Sequence, residues 1–131
     1  MSLFKFTKTI IESKQLQLFN KGNHIRDFTF IDDVVESISR LLMKKSKSKI
    51  PYQVFNVSSS SPKHLRLFLK KIEKNICKKA KIKLRNMQQG DIRKTHGSNS
   101  KLKNKIGFIP TTALDKGIIK FISWYKSYYK I

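Results

Sequence analysis

One cysteine, Cys77, stands among 131 residues, so no disulfide can close within the chain. That excludes the cysteine frameworks of small secreted domains and fits a reducing compartment. No apolar run approaches the ~18 residues that a membrane-crossing helix needs. Lys5 and Lys8 sit inside the first apolar segment rather than ahead of it, so no signal peptide is expected either. The expected location is cytoplasmic, with no membrane partner. Glycine is scarce: the five, at 22, 90, 97, 107 and 117, form no cluster. A glycine-rich turn that admits a dinucleotide's pyrophosphate to the start of a helix is therefore missing. His24, His64 and His96 show no metal-ligand spacing with one another or with Cys77, and no metal site is expected.

Acidic residues are few as well. Eight stand against 29 basic ones, a formal net charge of +21 and a pI near 10.3. Such a balance points to a polyanionic partner such as nucleic acid. The breakdown weakens that inference, because 24 of the basic residues are lysine and five arginine. Base readers and bidentate phosphate clamps use the planar fork of arginine. The chain is also rich in Ile, Asn, Phe and Ser, as an A/T-rich coding sequence would make it. The lysines between Lys70 and Lys83 read first as solvated charge. A basic nucleic-acid-binding module is the rival reading.

What is present centres on Arg26-Asp27-Phe28-Thr29-Phe30-Ile31-Asp32-Asp33, which holds three of the eight acids, with Glu36 just beyond. Phe28 and Phe30 alternate as in a strand. Asp33 then takes the place of an N-cap, with Glu36 completing a capping box. Ile31, Val34, Val35, Ile38, Leu41 and Leu42 form an apolar stripe on the helix that follows. A lone arginine at the head of such a strand suggests a cation fixed in position.

Around this centre the pattern alternates. Residues 2–13 predict an amphipathic helix, 15–19 a strand and 20–23 a turn. Residues 46–51 read as a polar connector and 52–57 as a strand buried on both faces. Ser61 as N-cap and Pro62 at the first helical position predict a helix with Leu65, Phe68, Leu69, Ile72 and Ile76 on its core face. Residues 80–84 alternate as a half-buried strand, and 86–97 are irregular. Residues 98–106 predict a short helix ending near Gly107. Thr112 with Asp115 reads as a second capping box, opening a helix through Tyr129. The expected class is α/β, in one partial domain spanning 1–131.

Several runs occur in order and with regular spacing: Leu3-Phe4-Lys5-Phe6-Thr7-Lys8, Arg26 to Asp33, Asn56 to Pro62, Met87-Gln88-x-Gly90-Asp91, Gly107-Phe108-x-Pro110-x-Thr112, Gly117-Ile118 and Trp124-Tyr125. On these the chain resembles the C-terminal part of the NAD-dependent sugar-nucleotide epimerase/dehydratase family, and UDP-glucuronate 4-epimerases most of all. The family joins a Rossmann domain to a smaller sugar-nucleotide-binding domain. The resemblance implies the substrate-binding portion of such a fold, without its N-terminal nucleotide-binding core.

It also implies roles. Arg26 stands where the family holds the diphosphate of a UDP-sugar, through bidentate pairing of guanidinium with phosphate oxygens. Phe19 corresponds to the aromatic that lies against uracil. Gln88 and Asp91 fall at positions contacting the diphosphate and ribose, and Thr95 at a polar position beside the diphosphate. Other readings stand beside these: Arg26 as an ion-pair partner of Asp27 or Asp91, Phe19 as core, Asp91 as a turn residue, Gln88 as a solvated amide. Asp32 and Asp33 read mainly as capping residues.

The family's chemistry further requires a Tyr-x-x-x-Lys pair, and none of Tyr52, Tyr125, Tyr128 or Tyr129 has lysine four residues on. No catalytic residue is assigned. NAD is implied for the complete family enzyme and not for this chain alone. Four departures from the family pattern bear on loop geometry: Ser58 replaces a glycine, Asn86 and Gln89 replace prolines, and Gly97-Ser98 replaces Ala-Asp. The expected function is UDP-sugar binding by a C-terminal portion of a UDP-glucuronate or UDP-glucose 4-epimerase-like protein, inactive alone. The alternative is one half of a split epimerase, completed by a separate N-terminal Rossmann chain. A homo-oligomer is a further possible partner state. The resemblance implies that the helix after Asp33 and the 52–57 segment belong with the Rossmann half, so this chain alone would expose their apolar faces.

Overall fold

Leucine, phenylalanine and isoleucine at 65, 68, 69 and 72 recur at the spacing that puts them on one side of a helix. In the computed structural model, which describes residues 2–46, 49–50 and 52–131, that helix is α3, Leu65–Ile76. All four side chains are buried. The other helices are α1 (Ser2–Ile11), α2 (Ile31–Leu42), α4 (Ser100–Ile106) and α5 (Leu114–Tyr129). The strands are β1 (Gln15–Leu18), β2 (Ile25–Arg26), β3 (Lys63–His64) and β4 (Lys81–Leu84). Cys77 ends α3 in the left-handed conformation, its thiol exposed, and Gly107 ends α4 likewise at φ +66°.

The chain divides into two compact units. The first comprises Met1–Arg26, Lys63–Lys94 and Ala113–Ile131. Its core is α3 packed between α1 and α5, with Phe6, Ile10, Phe68, Ile118 and Ile122 enclosed. Burying each such side chain contributes ~1.5–3 kcal/mol. β1 and β4 pair in parallel, Leu16 opposite Ile82, with α3 in the crossover that parallel strands require. β2 and β3 pair antiparallel, Ile25 with His64 and Arg26 with Lys63. The second unit comprises Asp27–Pro62 and Thr95–Thr112. Here α2 packs on α4, whose Leu102 and Ile106 are buried.

The structure corrects several local expectations. The strand at the central stretch is Ile25–Arg26, and residues 27–30 form no ladder; side-chain to backbone bonds tie this segment instead. Asp27 N–H donates to Thr95 Oγ1 and Ser59 N–H to Thr29 Oγ1. Asp33 is not an N-cap: α2 begins at Ile31, with Phe30 before it. Nor is Thr112 the N-cap of α5, a place taken by Ala113. Pro62 does not open α3, because Lys63 and His64 first pair with β2. Leu65 N–H, at the helix start, donates to His24 O. Residues 52–57 show no strand, since no described strand offers them a ladder, and Tyr52 and Val54 are exposed. The strand at 81–84 forms, but all four residues are exposed, because β4 has only β1 beside it. Of the connector at 46–51, residues 47, 48 and 51 lie outside the described residues.

Candidate functional site

Arg26 is held by backbone on both sides. β3 flanks β2 on one side, and on the other a parallel bridge joins Ile25 to Lys94, with Ile25 N–H donating to Arg93 O at 2.9 Å. The guanidinium itself is bound by carbonyls: Nη1 donates to Arg93 O at 3.2 Å and to Ile25 O at 3.1 Å. Nη2 donates to Asp91 Oδ1 at 3.0 Å. A rotamer-rich side chain is thereby fixed in advance, with 26% of its surface open to solvent. Its ion-pair partner is Asp91, as the alternative reading of the sequence allowed; Asp27 is engaged elsewhere.

Asp91 follows a turn in which its own N–H donates to Gln88 O, with Gly90 at φ +78° supplying the left-handed residue. Oδ1 accepts from Ile92 N–H as well as from Arg26. Oδ2 lies 2.9 Å from His24 Nε2, and His24 is buried. Gln88 is exposed beside this turn.

Phe19, half-buried, opens a 3-10 turn over Phe19–Gly22 directly after β1. Asn20 and Lys21 are left-handed there, and Gly22 has no room for a side chain, since a Cβ would meet Leu18 Cδ2 at 2.6 Å. Arg66 pins the turn by donating from Nε and Nη2 to Lys21 O. These four sequence-nominated residues, Phe19, Arg26, Gln88 and Asp91, belong to the first unit. Arg26 and Asp91 are in contact.

Thr95 belongs to the second unit, where it accepts the Asp27 N–H. Asp27 organises that region. Its carboxylate accepts from Ser59 Oγ at 2.5 Å and from the backbone N–H groups of Gly97 and Ser61. Burial pushes its carboxyl up, but the Ser59 hydrogen bond, the two backbone donors and His96 together hold it below the ordinary aspartate value. Asn99, also buried, grips Ser58 through both backbone groups. Gly97 lies against Ser58, and a Cβ there would fall 2.4 Å from Ser58 Oγ. Ser58 and Gly97 thus fit each other, the serine filling the space that a side chain at 97 would need.

His24 escaped the sequence reading. It lies in no motif, and its place beside Asp91 arises only when β2 is seated between β3 and the 93–94 backbone. Among the described residues no cluster of three His, Cys, Asp or Glu could hold a metal ion, and no helix is long and apolar enough to cross a membrane.

The family described as GDP-mannose 4,6 dehydratase matches residues 3–121. The chain belongs to this family. Protein CapI of Staphylococcus aureus is 38% identical over 99% of this chain and 43% of its own length. UDP-glucuronate 4-epimerase 1 of Arabidopsis thaliana is 34% identical over 98% of the chain and 33% of its own. The crystal structure of UDP-glucuronic acid 4-epimerase from Bacillus cereus, in complex with UDP-glucuronic acid and NAD, superposes with a TM-score of 0.87. It is 26% identical, over 98% of this chain and 40% of that one. The chain therefore spans less than half the length of these relatives, as the C-terminal portion of an epimerase/dehydratase fold.

Whether its own residues suit NAD can be tested on the glycines. Gly22 and Gly90 sit in turns, Gly107 at a helix end, Gly97 against Ser58 and Gly117 within α5. None opens a helix after a strand, so these glycines do not fit the pyrophosphate of NAD.

Proposed function

We propose that the chain binds the nucleotide diphosphate of a UDP-sugar, as the substrate-binding portion of a UDP-glucuronate or UDP-glucose 4-epimerase-like protein. The observation that supports this is the fixed Arg26, a guanidinium anchored by two carbonyls with Nη2 on the Asp91 carboxylate. A diphosphate replaces Asp91 on Nη2 and reaches the adjacent Nε with a second oxygen, the bidentate geometry that favours arginine. Asp91, so released, accepts hydrogen bonds from ribose hydroxyls. Gln88 donates its amide from the exposed turn, and the Phe19 ring packs against uracil. Thr95 is assigned to the diphosphate by resemblance alone.

The epimerisation itself, oxidation at C4 by hydride transfer to NAD and return of the hydride to the other face, needs residues this chain does not contribute. The chain is inactive alone on this reading. Titration with UDP tests it: wild type is stabilised, by ~2.7 kcal/mol at a hundredfold excess over Kd, and Arg26→Ala abolishes the shift. Absence of any shift with millimolar UDP would overturn the proposal.

A second reading follows from α2. Ile31, Val35, Ile38 and Leu42 are 63%, 54%, 49% and 80% exposed, on the stripe where the sequence pattern puts a buried face. We infer that a partner covers it: a separately encoded N-terminal Rossmann half, with a second copy of this chain as the other occupant. A reading frame upstream carrying a glycine-rich turn and a Tyr-x-x-x-Lys pair supports the first. Co-expression with that frame should give C4 inversion, and failure of the two chains to associate removes it.

A further inference from the structure

Resting on Arg26 as the diphosphate ligand, we infer that His24 is the positioning residue that holds Asp91 in place once Arg26 has turned to phosphate. His24 is 3% exposed, and its Nε2 is fully enclosed. That nitrogen makes no aligned hydrogen bond, although it lies 2.9 Å from Asp91 Oδ2. An enclosed polar nitrogen without an aligned partner is destabilising, and native proteins seldom leave one. Here the misalignment has a visible cause. Asp91 is drawn the other way by Arg26 Nη2 and by Ile92 N–H, both on Oδ1.

The imidazole is enclosed at 3% exposure, and the backbone that carries it is fixed. Its backbone carbonyl accepts from Leu65 N–H at the start of α3, and the next residue, Ile25, is bound to His64 and to Arg93. The carboxylate is the more open member, 29% exposed against 3% for the imidazole, at the turn around Gly90. When a diphosphate takes Nη2, one of the two bonds on Oδ1 is lost. A small rotation then brings Oδ2 into line with the Nε2–H of His24, in the tautomer that carries its proton there. Asp91 thereby exchanges one partner for another and stays oriented, rather than swinging free, while it receives the ribose hydroxyls. Ligand binding relieves an unsatisfied buried donor, so the free protein is poised for the exchange.

The test uses the full chain, UDP as probe and two variants that differ in reach. His24→Gln places its amide nitrogen near the position of Nε2, whereas His24→Asn places it near Nδ1 and falls short of Asp91. His24→Gln should bind UDP within about threefold of wild type, and His24→Asn about tenfold more weakly. In an Asp91→Asn background the two should be equal. If both variants lower Tm in the free protein while UDP affinity stays at the wild-type value and Arg26→Ala still abolishes binding, His24 is a packing residue only and the inference fails by itself. If wild type does not bind UDP, the diphosphate reading fails and takes this inference with it.

Discussion

Ser58 occupies the space that a side chain on Gly97 would need, with its Oγ 2.4 Å from where the Cβ would lie. Ser58 cannot easily give way, since Asn99 holds its backbone N–H and carbonyl. Gly97→Ala is therefore expected to cost about 1–3 kcal/mol, the range for overpacking a filled site. Ser58→Gly in the same chain should recover part of the loss. Urea denaturation of the two single variants and the double variant reads the coupling, and strict additivity would show that the contact is not the cause.

Arg26 makes three side-chain hydrogen bonds that lysine's compact ammonium cannot reproduce together. Arg26→Lys should keep the positive charge yet lose most of the UDP affinity, a fall of at least tenfold by calorimetry. Equal affinity for lysine would mean that charge alone, without the planar fork, attracts the nucleotide.

Asp27 carries a pH consequence. Its carboxyl is lowered in the folded chain, where donors from Ser59, Gly97 and Ser61 outweigh burial. A group with a depressed folded value stabilises above its unfolded value, 3.8 for aspartate, and the contribution is lost as pH falls through the lower folded one. Stability should fall on acidification below about pH 4. Asp27→Asn should be less stable at neutral pH by about 1–3 kcal/mol and show a shallower acid limb in thermal melts from pH 7 to pH 2.

The open stripe of α2 should govern self-association. Leu42 is 80% and Val35 54% exposed, so Val35→Asp with Leu42→Lys removes no core contact. Such surface changes normally alter stability by less than ~0.5 kcal/mol each. Light scattering should show less aggregation at unchanged Tm. A large loss of Tm would instead mean that the stripe is buried within the chain in solution.

Helix periodicity was readable without the structure because burial on one side of a helix leaves a repeat of 3.6 residues in the chain itself. α3 and α5 follow it closely: Leu65, Phe68, Leu69 and Ile72 on one, Ile118, Ile122 and Tyr125 on the other, are buried. The starts of α2 and α5 differ from the local pattern for one shared physical reason. Asp33 and Thr112 each stand in a capping-box spacing, but their side chains bond to each other. Asp33 accepts from Thr112 N–H and from Thr112 Oγ1, both at 2.9 Å, across 79 residues. A local motif cannot reveal that its polar group is wanted by a distant one. The strand expected at 52–57 failed similarly, since a ladder depends on a neighbour that no local pattern announces.

By itself the amino-acid sequence determined the family, the α/β class and the absence of a glycine-rich turn, because each rests on residue type and order. The tertiary structure alone decided which groups Arg26 meets. The Gly90 turn brings Asp91, 65 residues away, to its guanidinium, and the seating of β2 between β3 and the 93–94 backbone brings His24 to the same carboxylate. Hydrogen bonds act over about 3 Å in space, whatever the distance along the chain, so a shared carboxylate between Arg26 and His24 exists only once the backbone has folded around it.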